Sequence, residues 1–298
     1  MESQRGHSLN QKPVVGQDAL LPPDAETARR YLAEATAVAE RRDSAIDRRG
    51  IARLQIVNAV ITAAFLLVFA YLLRGTESSS YQVVLFAFLL WGLLAAGIAQ
   101  RDGIQWRMTR TRLPLALAGA VVVVVAFVVF GLVIFVPDLP TGLGVVPAAL
   151  FLLAFGGHGV VQLRRAATDP LRAPARREPL PRAARAGTVG VGIVIGALHM
   201  LARAPEGVLS SVLILLIALL VVAWMFVGAT DAGLPAIGAR WRWPHLAGFG
   251  AAAAALLALV LLQPAGDTSM ATAGLVTGGA VIVLFAVLAV VPGRASRD

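Results

Sequence analysis

Residues 164–187, RRAATDPLRAPARREPLPRAARAG, are the longest charged interruption between Leu54 and Val291. Seven of these 24 residues are arginine (164, 165, 172, 176, 177, 182 and 185), four are proline, and only Asp169 and Glu178 oppose the charge. A stretch of this kind cannot bury itself and reads as a loop in water beside a bilayer. The chain around it is 58% hydrophobic and 14% charged, with a mean hydropathy of +0.76. Soluble domains carry roughly 25% charged residues, so the composition specifies membrane residence.

A transmembrane helix needs about 20 apolar residues to cross the hydrocarbon core. Working outward from the arginine-rich loop, uncharged runs at 54–73, 81–98, 113–136 and 143–161 form a first membrane half, residues 51–163. Runs at 186–202, 208–227, 246–262 and 271–291 form a second, residues 186–291. The weakest is 186–202, which has only 17 residues between Arg185 and Arg203 and is diluted by Gly187, Gly190, Gly192 and Gly196. It crosses only by running nearly upright or by thinning the bilayer. The expected fold is an all-α, polytopic integral membrane bundle of about eight transmembrane helices in four hairpins. Residues 164–185 form the central cytoplasmic loop, and both termini are cytoplasmic.

Orientation follows from charge. With the termini inside, the far side receives Arg74, Glu77, Asp138, Arg203, Glu206 and Asp267, two basic against four acidic residues. The near side keeps 24 basic against 13 acidic residues, as the positive-inside rule requires. Trp241 and Trp243 are expected at the inner boundary, Trp224 near the inner end of its span, and Tyr71 and Tyr81 near the outer face. Pro114 and Pro244 fall where a missing amide hydrogen costs little, at the start of spans.

Residues 1–23 are polar and read as a disordered tail without the apolar core of a leader. Asp24 is placed to cap a juxtamembrane helix over 24–50, with Glu26 and Arg30 in the favourable order and Gly50 as a hinge before the bilayer. Residues 292–298 are expected to be a cytoplasmic tail. The absence of cysteine excludes disulfides, thiolate metal sites and cysteine nucleophiles. Of 26 basic residues only Lys12 is lysine, a bias that fits a GC-rich coding sequence and points to a bacterial inner membrane.

Candidate polar residues are few. His158, flanked by glycines and followed one turn later by Gln162, lies near the inner end of its span, and His199 lies near the outer end of another. Neither has a carboxylate in its own span, so packing explains them better than a metal site or proton relay. Gln55, Asn58 and Thr62 share a helical face and Ser210 and Ser211 start a span; such groups serve as interhelical glue, with Asn58 the residue most suited to line a small-molecule path. Gly192/Gly196, Gly250/Ala254 and Gly274/Gly278 are spaced for close helix packing. No catalytic residues, cofactor-binding residues or metal ligands stand out, and no serine-hydrolase, phosphate-loop or zinc motif is present.

The arginines flank apolar spans and do not gather in an aromatic-rich domain, which argues against nucleic acid. The partners expected are the bilayer, with anionic headgroups met by Arg164 to Arg185, and a protein partner or second copy met by residues 24–49. Two functions fit: a non-enzymatic scaffold or accessory subunit, or a permease-like carrier of a neutral or apolar solute without carboxylate-based ion coupling.

Overall fold

The computed structural model describes residues 24–45, 47–74, 80–103, 113–136, 138–169, 177–202, 207–262 and 269–295. The expected tail over 1–23 and the central arginines Arg172 and Arg176 lie outside these residues.

Helix α1 (Ala25–Ala45) begins as expected: the Asp24 carboxylate accepts the Thr27 backbone N–H at 2.7 Å. That bond, with a second from the Thr27 side chain, holds the Asp24 carboxyl below its ordinary pKa. Tyr31, Leu32 and Val38 are exposed along it. Residues 46–298 form a separate compact unit, described next.

Gly50 is not a hinge. Asp47 caps α2 (Arg48–Arg74), its side chain accepting the Gly50 N–H at 2.8 Å, and Gly50 lies in the first helical turn. α3 (Ser80–Arg101) and α4 (Leu113–Phe135) follow. The fourth crossing is segmented. A 3₁₀ turn (Thr141–Gly144) leads into α5 (Val145–Phe151), a π-helical turn (Leu152–Gly156) and α6 (Gly157–Arg165). Beyond a two-residue strand β1 (Arg177–Glu178) come α7 (Arg182–Leu201), α8 (Val208–Phe226), the short α9 (Leu234–Arg240), α10 (Trp243–Leu261), α11 (Ser269–Leu288) and β2 (Gly293–Arg294). Seven of the described helical segments are long and apolar enough to cross a membrane. The eighth expected span, 271–291, corresponds to α11, but its apolar part, Thr272–Leu288, is shorter than the other seven and is not counted among them.

Three boundaries differ from the sequence reading. α7 starts at Arg182, not at residue 186, because Pro181 supplies an extended N-cap and Arg182 and Arg185 carry the helix out of the apolar zone. This gives the doubtful span 20 residues. The stretch 228–245 is not merely a loop, since α9 packs tightly on α3. A Cβ on Gly97 would strike the Pro235 carbonyl, and one on Gly238 would strike the Leu94 carbonyl. Finally, Gly293 and Arg294 of the expected tail are anchored: β2 pairs antiparallel with β1, Arg177 opposite Arg294 and Glu178 opposite Gly293.

Glycine-rich α7 is, with α3, the most enclosed of these spans. Its Gly196 lies against Gly278 of α11, where a Cβ on Gly196 would come within 2.7 Å of the Gly278 carbonyl oxygen and the reverse within 2.5 Å. Gly192 meets Phe285, so the expected close packing holds for these residues. It fails for Gly250, which has nothing within 4 Å; Gly248 makes the contact instead, against Leu288.

The arginine-rich stretch divides the sequence, but not the packing. α3 packs on α2 of its own half and also contacts α7, α8, α9 and α10. Trp91, Leu94, Val194, Leu198, Ile237, Trp241, Phe249 and Phe285 then share one buried core. α2/α3, α4/α5 and α10/α11 pack as hairpins, whereas α8 leans more on α3 than on α7. α4 and α8 are buried over only 11% of their apolar windows, as helices facing lipid can be.

Polar bonds mark both ends of the unit. At one, Arg49 caps α6 through the carbonyls of Ala166, Ala167 and Asp169 at 2.6–2.7 Å, and Arg101, Asp102, Trp241 and Arg294 converge. At the other, Arg74 donates to the carbonyls of Val133 and Leu139 at 2.8 and 2.9 Å. Both guanidiniums satisfy carbonyls at helix C-termini, where positive charge is favourable.

Candidate ligand groove

α2, α3, α4 and the α5–π segment enclose a cavity of about 960 Å³. One wall is the α2 face carrying Ile51, Gln55, Asn58, Thr62, Phe65, Phe69 and Leu73, which recur at three and four as a helical stripe must. The facing wall is the α3 stripe of Tyr81, Leu85, Phe88, Gly92 and Ala96. Val123, Phe127 and Phe130 of α4 and Phe151 and Phe155 of the fourth crossing complete it. Phe127 is 62% exposed and Leu85 39% exposed, so the cavity is a groove open along the side of the bundle. The α2 lining from Ile51 to Leu73 runs for about 33 Å at a rise of 1.5 Å per residue, comparable to the hydrocarbon thickness.

The walls are held by aromatic contacts. Phe65 and Phe88 approach across α2 and α3 with ring centroids 5.0 Å apart, and Phe151 and Phe155 lie tilted to each other at 4.5 Å along the segmented crossing. The π-helical turn abuts α2: a Cβ on Gly156 would lie 3.5 Å from that of Ala59, and one on Gly159 only 3.3 Å from the Ala52 carbonyl oxygen. Inserting a residue into a helix shifts the side chains beyond it, so this turn resets the direction of the side chains that follow Phe151.

Polar chemistry in the groove is confined to neutral groups. Trp91 donates its indole N–H to Asn58 Oδ1 at 2.9 Å. An indole is a donor only, so the Asn58 carbonyl must face it and the amide NH₂ is left available. Gln55, one turn nearer the arginine-rich end, makes no hydrogen bond among the described residues. Of the three polar residues picked from α2, all line the groove.

The other candidates go elsewhere. His158 Nε2 pairs with Gln162 Nε2 at 2.6 Å on α6, as their spacing implied. His199 is fully buried near the opposite end, its Nδ1 donating to the Ile195 carbonyl at 2.9 Å and its Nε2 without a hydrogen-bond partner among the described residues. His245, which the sequence reading passed over, is also fully buried, and its Nδ1 accepts the Arg242 N–H at 3.3 Å. Ser210 is an N-terminal cap for α8, its Oγ accepting from Gly207 N at 3.0 Å. Trp241 is not an interfacial side chain: it is fully buried and donates to Thr188 Oγ1 at 3.0 Å, while Trp243 is 74% exposed. Among the described residues no group of three or more His, Cys, Asp or Glu is placed to hold a metal ion.

Asp102 was also missed. It is 2% exposed and receives Arg101 through both carboxylate oxygens, at 2.8 and 3.1 Å, with Arg294 at 3.5 Å. Its backbone carbonyl accepts the Asp47 N–H at 3.2 Å. Arg101 also reaches the Trp241 carbonyl at 2.9 Å. One carboxylate thereby joins the end of α3 and β2, and its Arg101 partner adds the chain entering α10, while its own backbone holds the start of α2. The only trace in the sequence was an acid directly after an arginine at the end of a span.

Comparison with protein families, with curated proteins and with solved structures finds no match to this chain.

Proposed function

We propose that this is a multi-pass membrane protein that takes an apolar or amphipathic molecule from the bilayer into the groove between α2, α3 and α4. Of the two functions expected from sequence, this is the carrier of an apolar solute without carboxylate-based coupling. The observation that carries it is the groove itself: about 960 Å³, open sideways, and lined by hydrocarbon and aromatic side chains with amides as the main polar groups. Binding sites for small molecules have this character, largely apolar with a few directed polar groups. The polar cavity expected of a hydrophilic permease is not what surrounds Asn58. The reading is non-catalytic. The arginine-rich end, including Arg49, Arg101, Arg177 and Arg294, belongs in this reading on the cytoplasmic side, by the positive-inside rule, and the arginine bias favours a bacterial inner membrane.

The test is retention of apolar ligand by the purified full chain. Gly92 lines the groove and a Cβ there meets nothing within 4 Å, so Gly92→Trp fills the space without striking a neighbour at its root. Extraction and mass spectrometry should recover less bound lipid-like material from this variant than from the parent. Equal recovery removes the groove reading.

A scaffold or accessory role is favoured by a separate observation, the exposed Tyr31, Leu32 and Val38 of α1. Residues 24–49 are then a contact for a partner or a second copy. Deleting residues 24–45 should abolish crosslinked higher-mass species in native membranes under that role, and persistence of those species argues against it.

A further inference from the structure

We infer that the occupant of the groove is an anionic phospholipid, its phosphate held by Arg48 and its acyl chains lying between the aromatic side chains of α2, α3 and α4. The inference rests on the groove being a ligand site, as proposed above, and adds the chemical class of the ligand.

Four of the α2 residues that line the groove, Ile51, Gln55, Asn58 and Thr62, recur at four and three, and Arg48 continues the same face one turn earlier. It therefore stands at the rim, on the arginine-rich end. Arg164 and Arg165 of α6 are exposed at the same end, while the other neighbouring charges on described residues near the start of α2 are already used. Arg49 is spent on three backbone carbonyls, and Arg101 and Arg294 on Asp102. Asp47 is turned to the Gly50 amide as a helix cap. Arg48 is exposed and makes no hydrogen bond or ion pair among the described residues. On the α2 face that lines the groove, Arg48 is thus the guanidinium left uncompensated among the described residues, and its fork of donors matches phosphate oxygens.

Below it the polarity falls in the order a phospholipid requires. About 10 Å of helix rise separates Arg48 from Gln55, and about 5 Å more leads to Asn58. The free amide groups of these two residues are donors at the level of ester carbonyls, and beyond Thr62 the lining is Phe65, Leu66, Phe69 and Leu73. Arg53 is also exposed and without a described partner, but two residues from Ile51 it points to the opposite face of α2. It is the internal control.

The experiment uses the full chain in a neutral detergent, titrated with phosphatidylglycerol or with phosphatidylcholine of identical acyl chains and read by native mass spectrometry. One basic residue near a headgroup contributes about a fivefold preference. The parent should therefore bind phosphatidylglycerol about fivefold more tightly, because choline offsets the phosphate charge in phosphatidylcholine; Arg48→Gln should erase the preference by weakening phosphatidylglycerol more than phosphatidylcholine, and Arg53→Gln should leave the preference intact. Gly92→Trp, or Ala96→Phe if that variant fails to fold, should weaken both lipids. If the groove-filling variant weakens neither lipid, the groove reading itself falls and this inference with it. If it weakens both but Arg48→Gln keeps the preference, the groove stands and the assignment of Arg48 is overturned. No preference in the parent, or equal loss in Arg53→Gln, also overturns it.

Discussion

Trp91 of α3 donates its indole hydrogen to Asn58 of α2 at 2.9 Å, and this bond ties the two long walls of the groove together. Trp91 also packs against Phe249 of α10, with ring centroids 5.6 Å apart. The groove is thus fastened to the buried core by the same side chain that orients its central amide.

Replacing either partner should loosen that attachment modestly. Interhelical hydrogen bonds in membranes contribute about 0.6 kcal/mol, at most about 1.7. A double-mutant cycle of Asn58→Leu and Trp91→Phe, followed by denaturant titration in detergent, should give a coupling energy in that range. A coupling near zero would remove the bond as a contributor to stability.

The glycine contacts predict opposite outcomes at two helical positions. Gly196→Leu forces α7 away from the Gly278 backbone and should cost about 1–3 kcal/mol or more. Gly250→Ala enters open space and should be neutral or stabilising by up to about 1 kcal/mol, since alanine is the better helix former. Thermal unfolding monitored by size-exclusion fluorescence ranks the two against the parent.

Docking of α9 on α3 depends on bare backbone at Gly97 and Gly238. Gly238→Ala should raise hydrogen exchange across 234–240 while leaving exchange in α11 near the parent level. Unchanged protection over α9 would contradict the packing.

Asp102 holds two arginines from distant parts of the chain. Asp102→Asn keeps the shape but removes the charge, and should weaken attachment of β2 by about 1–3 kcal/mol. Hydrogen exchange at Gly293 and Arg294 reads this directly, and faster exchange is expected there.

Orientation is testable in a chain without native cysteine. Asp138 and Glu178 are both exposed and lie at opposite ends of the unit. Asp138→Cys should react with an impermeant maleimide in intact cells, and Glu178→Cys only after permeabilisation. The reverse pattern would invert the topology.

The spans were legible in the sequence because lipid leaves the backbone no outside hydrogen-bond partner, so a crossing segment must close its bonds within its own helix and advertise itself by local composition. The flanking arginines and the Asp24 cap were legible for the same reason: each acts within a turn or two of its own position. The polar stripe of Gln55, Asn58 and Thr62 could be read off one helix as well, and all three residues do line the groove.

Partners between helices were decided only by tertiary structure. An apolar face is satisfied by lipid tails as well as by another helix, so hydrophobic pattern cannot say which face meets protein. Gly248 packs against Leu288 while Gly250, two residues away on the other side of α10, meets nothing. The same ambiguity hid α9 within a presumed loop and let α3 pack among the helices that follow the arginine-rich stretch. Asp102 looked like one more loop charge until Arg294, 192 residues later, was brought within 3.5 Å of it. The groove is lined by residues of α2, α3, α4 and the crossing that carries the π-helical turn, a convergence written in no single helix.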